Sequence, residues 1–427
     1  MSERAARPPL NPLSRRNPLA PVYIAVFLYS LGEAALHVLV SPYLSQSVHV
    51  SATVIGVVVA AFGTASLLTR VPVGAWYRAN RARSMLVVGG ILSAGAFALV
   101  PLVSGALPFG ALMAVDGVGW SIATTTQLAL LVAARPPGIT TASAMGWYAG
   151  FTGLGHTAAG AAAGFIADRL GFDAAFLMLA ALPAIATLLM FAAMPEREPS
   201  AEQPSLRKQP ARSWWEIFRL PAAVWAGALL MFDINFVNGL VTTFQPVLAL
   251  AAGLTLTQIG VLASLRSFAS SFVRLGSGVM FARSSGVRLT TPLVVLGAAA
   301  VILIPSAKAS FLLSAPLFLA IGTSRGLLRV TGSAHAFEGV PDHDRYHGIT
   351  ASLLHAGLDL GKLTGPLLGG AVAGLAGLET MFRVLPVVLL CGYALLEILA
   401  TRSAQKRGTP APVRHGSPEE QPIDLGP

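Results

Sequence analysis

Glu33 and His37 stand four residues apart in an otherwise apolar run, a spacing that puts both side chains on one face of a helix. A carboxyl group beside an imidazole can pass a proton near neutral pH. A second apolar run carries Asp233, followed by Asn235, Asn238 and Gln245, and offers Asp233 and Asn238 as ligands for a solute or a proton. Asp116, ahead of Thr124, Thr125, Thr126 and Gln127, suits a gate and a binding site equally. His355, Asp359 and Lys362 recur at i, i+4 and i+7, again one helix face, and Arg325 and Arg329 are four apart in the run before them. A guanidinium is a planar donor fork suited to carboxylate or phosphate, so these cations favour an anionic or zwitterionic ligand. Each group also has a plain structural reading: an interhelical hydrogen bond for Glu33 and His37, mutual neutralisation for Asp359 and Lys362, and extension to a polar headgroup layer for Arg329.

The elements that hold these groups follow from composition. Of 427 residues, 54% are hydrophobic and 11% charged, a balance foreign to a soluble domain of this length. About 20 apolar residues cross a bilayer core. Twelve such runs are predicted, over 20–41, 51–77, 84–103, 107–133, 140–167 and 173–194, then 221–248, 256–282, 289–306, 311–338, 347–375 and 379–401. The expected fold is an all-α polytopic membrane protein. An ionisable side chain at mid-bilayer costs at least about 2.5–3.5 kcal/mol, so each candidate above is expected to face a cavity or a partner. The first run is too long for a signal peptide and is expected to remain as a helix. The single cysteine, Cys391, excludes an internal disulfide and a cysteine-cluster metal site.

A net charge of +10 does not point to nucleic acid, because the basic residues alternate by loop. Arg4, Arg7, Arg15 and Arg16 precede the first run; Arg78, Arg81 and Arg83 follow the second; Arg135 follows the fourth. Arg207, Lys208 and Arg212 mark the centre, Arg283 and Arg288 follow the eighth run, Arg345 the tenth, and Arg402, Lys406 and Arg407 the last. The intervening loops are almost free of them, Arg169 and Lys308 excepted. The positive-inside rule then places both termini in the cytoplasm.

The second half repeats the first at a shift of about 204 to 206 residues. Pro42 falls on Pro246, Thr53 on Thr257, Gly56 on Gly260, Arg70 on Arg274, Gly74 on Gly278, Gly164 on Gly370 and Gly171 on Gly377. The predicted organisation is a cytoplasmic segment (1–19), a six-helix bundle (20–194), a Pro-rich, charged linker (195–220), a second bundle (221–401) and a disordered tail (402–427). Gly357, Gly361, Gly365 and Gly369 recur every four residues, a smooth stripe on which another backbone can rest or slide.

Twelve spans, a basic central linker and an Arg-x-x-x-Gly run in the second and eighth spans together resemble the major facilitator superfamily over essentially the whole chain. The resemblance implies two pseudo-symmetric six-helix bundles and gating roles for Arg70, Gly74, Arg274, Gly278, Gly361 and Gly365. The superfamily's loop after the second helix has a gate carboxylate; here Arg78 stands at that place, and Ala282 in the second copy. A closer match to the loop string, Gly164 to Gly171 with Asp168 and Arg169, falls on the non-cytoplasmic side and is read as a lookalike.

No phosphate-binding loop or soluble ATPase segment is present, so energy is expected from a gradient, with the carboxylates and histidines favouring protons. The expected function is secondary transport of a small organic solute across a bacterial inner membrane by a monomer, without cofactor, metal or nucleic acid, through proton-coupled alternating access. Export is preferred to import on resemblance to many bacterial exporters of this size. The competing readings are a lipid flippase, an uptake permease and, for the loop from Asp342 to His347, a polytopic membrane enzyme.

Overall fold

A chain that enters lipid finds no water to satisfy its backbone, and the helix closes every N–H and C=O within one segment. The computed structural model describes residues 20–76, 79–133, 141–193, 221–280, 289–338 and 344–406, which are helical throughout apart from short turns, with no strand among them. The helices of the first half are α1 (Ala20–Gln46), α2 (Ala52–Trp76), α3 (Ala82–Leu99) and α4 (Ala106–Ala133), followed by one run, Thr141–Ala193. That run turns at Gly171, whose φ of 82° and ψ of 171° are open to glycine and strained for other residues; its arms are α5 (141–170) and α6 (172–193). The second half comprises α7 (Ala222–Ala251), α8 (Leu256–Met280), α9 (Thr290–Ala307), α10 (Phe311–Glu338), α11 (Asp344–Ala376) and α12 (Leu378–Lys406).

Nine helical stretches among the described residues are long and apolar enough to cross a membrane, and the protein is a multi-pass membrane protein. One stretch has 47 residues, about twice the length one crossing needs, and the bend at Gly171 divides it. The nine omit α8 and α11. Arg266, Arg274 and a run of serines dilute the first; Asp359 and Lys362 dilute the second. These are the two helices of the second half that meet the first half most closely, and their polarity serves the space between the halves.

The predicted spans agree with the helices to within a few residues, with two departures. The first helix runs on past Pro42, because neighbouring helices relieve an interrupted hydrogen bond, and the fifth and sixth spans join at Gly171 without a loop. The residues proposed as linker, the N-terminal segment and most of the tail lie outside the described residues, as do Arg78 and Arg135.

The repeat survives in the backbone. His49 and Gly253, 204 residues apart, both adopt left-handed φ, 56° and 94°; Gly171 and Gly377, 206 apart, have φ of 82° and 86°. Packing repeats too: α1 lies along α5 and α7 along α11, while α5 meets α8 and α2 meets α11 across the halves. In lipid there is no hydrophobic drive between helices, so small residues and polar contacts hold such seams. A Cβ on Gly260 would run into the carbonyl of Gly160, one on Gly164 into that of Leu256, and one on Gly56 into that of Pro366. The cross-half bonds Ala161 N–H to Ser264 Oγ (2.9 Å) and Thr53 Oγ1 to the Gly370 carbonyl (3.0 Å) lie on the same side.

This side is the one away from the basic loops, and the seam widens towards the other. Gly146, Gly153 and Gly160 are spaced by seven along one face of α5. A Cβ on Gly160 would strike backbone, one on Gly153 only the Ser271 side chain, and one on Gly146 nothing within 4 Å. Gly260→Ala is therefore expected to destabilise the solubilised protein by about 1–3 kcal/mol, read as a lowered thermal midpoint, whereas Gly146→Ala leaves it unchanged.

Candidate functional site

Between the halves lie two chambers that share the walls made by His156, Ser267, Arg325 and Arg329. The central one, about 220 Å³, is lined by Glu33, His37, Phe62, Trp120 and His156 from the first half and by Asn235, Asn238, Thr242, Arg266, Arg325, Arg329 and Lys362 from the second. The other, about 490 Å³, lies towards the basic side between Tyr148, Thr152, Arg274 and Ser333. Volumes of this order suit a small organic ligand.

The charge on the walls is uneven. Arg266, Arg274, Arg325, Arg329 and Lys362 line the two chambers, and Glu33 is the one carboxylate among the described lining residues. Arg266 is 6% exposed and is held in place by Asn238 Oδ1 (2.6 Å) and Thr242 Oγ1 (3.0 Å), both one helix away on α7. Arg274 donates to the Ser270 carbonyl (3.0 Å) and to Ser271 Oγ (3.3 Å). Arg325 borders both chambers and has Arg266, Arg274 and Arg329 as like-charged neighbours. Neither Arg325 nor Arg329 donates a side-chain hydrogen bond to any described residue. Planar donor forks that border a ligand-sized space without acceptors of their own are an anion receptor in outline.

On the opposite wall His37 Nε2 meets Glu33 Oε1 at 3.0 Å, as their spacing predicts. Behind Glu33 lies Asp116, 1% exposed, neither of whose oxygens meets a well-placed donor. It belongs to the layer behind the cavity. Lys362 reaches across from α11, and its Nζ lies 4.2 Å from the Phe62 ring centre and 5.9 Å from that of Trp120.

Other candidates stand elsewhere. Asp233 lines a separate pocket of about 30 Å³ inside the second half, which Asn238 and Arg325 also border; that is room for one or two waters. Asp359 is half-buried near Lys362, and the side chain of His355 lies outside the described residues. Gly361 and Gly365 pack on the carbonyls of Phe232 and Phe236, so their stripe joins α11 to α7 within one half. Arg274 borders the basic-side chamber and Arg70 is exposed; Gly74 and Gly278 sit in the last turns of α2 and α8, and their packing lies outside what is described. Nor do the described residues include Asp342 and His343. No group of three metal-ligating side chains occurs among those that are described.

Three residues in these walls escape a reading of the sequence for spaced charge. Phe62 and Trp120 look like ordinary apolar positions. His156 is a lone histidine in a Gly- and Ala-rich run, and its being ionisable within a span was the available signal.

Asp168 lies outside both chambers, at the end of the α5/α8 seam. Its carboxylate, on α5, accepts the Leu256 N–H (3.1 Å), the Thr257 N–H (2.7 Å) and the Thr257 hydroxyl, at the first turn of α8 in the other half. Thr255 and Gln258 complete a capping box there, Gln258 N–H to Thr255 Oγ1 at 3.2 Å and Thr255 N–H to Gln258 Oε1 at 3.0 Å. In the twin seam Gly374 occupies the equivalent place, so the carboxylate clasp belongs to one seam, while the other has the Thr53 to Gly370 bond. Lys308, the exceptional lysine on this side, pairs with Glu379.

A two-fold repeat of six helices around a central polar cavity restricts the choice of family, and the sequence decides it. The model of the Major Facilitator Superfamily matches residues 22–351. The chain belongs to that superfamily. Among solved superfamily structures, a bacterial homologue of the human lysosomal transporter Spinster, inward-facing and unoccupied, superposes with a TM-score of 0.70 at 17% identity, covering 92% of this chain and 98% of that one. The nucleoside transporter NupG gives 0.69 at 15% identity over 89% of this chain and 99% of that one. These likenesses show the shared superfamily fold. No curated protein matches the chain by sequence.

Proposed function

We propose that this superfamily transporter moves a small organic anion, or a zwitterion with an acidic end, by proton-coupled alternating access. The observation that carries this reading is the cluster of guanidiniums at Arg266, Arg325 and Arg329 around one cavity between the halves, with Lys362 beside it and one carboxylate opposite. The substrate's acid group sits between Arg325 and Arg329, with Arg266 locked behind by Asn238 and Thr242.

The shape corresponds to a state open to the basic side, which is the cytoplasm if the loop charges obey the positive-inside rule in a bacterial inner membrane. Support comes from the splayed α5/α8 seam, the closed contacts at Gly160, Gly164 and Gly56, and the Asp168 clasp on the far side. The inward-facing Spinster homologue is consistent with it. Export of a cytoplasmic solute by a monomer, exchanged for protons taken at Glu33 and Asp116, completes the proposal. The gate then consists of the glycine seams at α2/α11 and α5/α8, with Arg70 and Arg274 at the cytoplasmic mouth.

The test uses purified transporter and panels of small organic anions, neutral solutes and amphiphilic cations, scored by thermal stabilisation and by flux into proteoliposomes. Anions are expected to stabilise the protein, and Arg325→Gln to weaken them about 10- to 100-fold, as loss of a charge-assisted bidentate contact implies. Binding of cations alone, indifferent to Arg325, would overturn the anion reading.

A further inference from the structure

The ammonium of Lys362 is a charge of the second half lodged in the first. It lies over the ring of Phe62 on α2 and beside that of Trp120 on α4, near Glu33 on α1, and among the described residues it forms neither a hydrogen bond nor an ion pair. Two rings and a carboxylate are the components of an organic-cation receptor, because the negative face of an aromatic ring attracts a desolvated cation. Phe62 is fully buried, with the ammonium on its face and the edge-on His37 ring 4.8 Å away. The guanidinium cluster faces this receptor across the same cavity.

We propose that the Phe62–Trp120 cage is a cation subsite that Lys362 fills as a tethered stand-in, and that the substrate is a zwitterion whose amine or quaternary ammonium displaces it. The acidic end of the same molecule lies on Arg325 and Arg329, so the inference rests on the anion reading above and narrows it. Displaced, the lysine swings towards the acid it has just admitted. A pure anion leaves the lysine on the rings and gains none of this contact; a pure cation meets the guanidiniums unscreened. The cavity thus selects for both charges on one small molecule.

The experiment measures binding by thermal stabilisation of the intact detergent-solubilised transporter, using a ladder of ω-trimethylammonio carboxylates with one to six methylenes. Each is paired with the shape-matched acid in which a tert-butyl group replaces the trimethylammonium. At the preferred length the zwitterion is expected to bind at least about tenfold better than its neutral-tailed partner. Phe62→Leu and, should that variant not fold, Trp120→Leu are expected to erase the difference between the two members of each pair. Lys362→Met is expected to let tetramethylammonium alone bind, and wild type to ignore it. Acids that bind through Arg325 with no preference for the zwitterion at any length would overturn the cage and leave the anion reading standing. A zwitterion preference untouched by both ring variants would overturn the cage as well. If no acid of either series binds, both readings fall together.

Discussion

Glu33→Gln is expected to abolish proton-driven transport, to the level of protein-free vesicles, while substrate exchange at equal pH continues once the substrate concentration is raised to offset weaker binding of its cationic end. Glu33 lies 5% exposed at the cavity wall, with His37 at 3.0 Å and Asp116 behind it. Two carboxyls and the Lys362 ammonium share one low-dielectric patch, and their charges balance when one of the carboxyls carries a proton. Glutamine keeps the shape and an acceptor for His37 but takes up and releases no proton, so it fixes the patch in one charge state. Binding through the guanidiniums and the rocking of the halves survive, with a weaker hold on a substrate ammonium; the link to the gradient does not. The measurement is flux in proteoliposomes with and without an imposed pH gradient. Asp116→Asn is the companion variant and should give the same dissociation of driven from exchange transport. A Glu33→Gln protein that still concentrates substrate on a pH gradient would remove Glu33 from the coupling step.

The helices, their order and the repeat were legible because each is written in a local pattern: apolar runs of crossing length, basic loops at every second turn, and glycines at one shift. Spaced charge within a single run was legible for the same reason, and Glu33 with His37 is as its four-residue spacing requires. What sequence could not supply was the direction in which a charge points through space. Asp233 and Glu33 look alike as buried acids in corresponding regions of the two halves, yet Glu33 lines the central cavity and Asp233 a small pocket that Arg325 also borders. The glycine stripe of α11 reads as a sliding surface, while its register against Phe232 and Phe236 makes it an internal seam, and the glycines that meet the other half are Gly56, Gly160, Gly164, Gly260 and Gly370. Phe62 and Trp120 acquire a role only through a lysine that lies far from them in sequence. The string from Gly164 to Gly171 reads as a lookalike of the superfamily loop, yet three of its residues act in this fold: Gly164 admits the Leu256 carbonyl, Asp168 caps α8 and Gly171 makes the turn.

That clasp leads to the second large effect. Asp168→Ala is expected to shift the resting transporter towards the state open on the non-basic side. The carboxylate is solvent-exposed, so its attraction to the α8 N-terminus is partly screened, and the three donors together contribute about 1–2 kcal/mol. All of this is lost when α8 leaves α5, since the bonds join opposite halves. Removing it therefore changes the ratio of the two states by about 5- to 30-fold. Asp168→Asn retains the acceptor oxygen without the charge and should fall between alanine and wild type, which separates charge from hydrogen bonding. Because Cys391 is the one cysteine and is exposed, a Cys391→Ala background with spin labels at Ser47 and Ser310 reports the gap between the halves on that side. A longer label-to-label distance is expected in Asp168→Ala, and a further increase when Gly260→Ala is added, since the second change loosens the same seam. The twin position gives the control. Gly374 carries no carboxylate to lose, so Gly374→Ala acts only through its contact with Thr53 and tests whether the α2/α11 seam opens with its partner or alone. Distances unchanged in Asp168→Ala would mean that the glycine contacts hold this side shut and that the clasp orders α8 without biasing the gate.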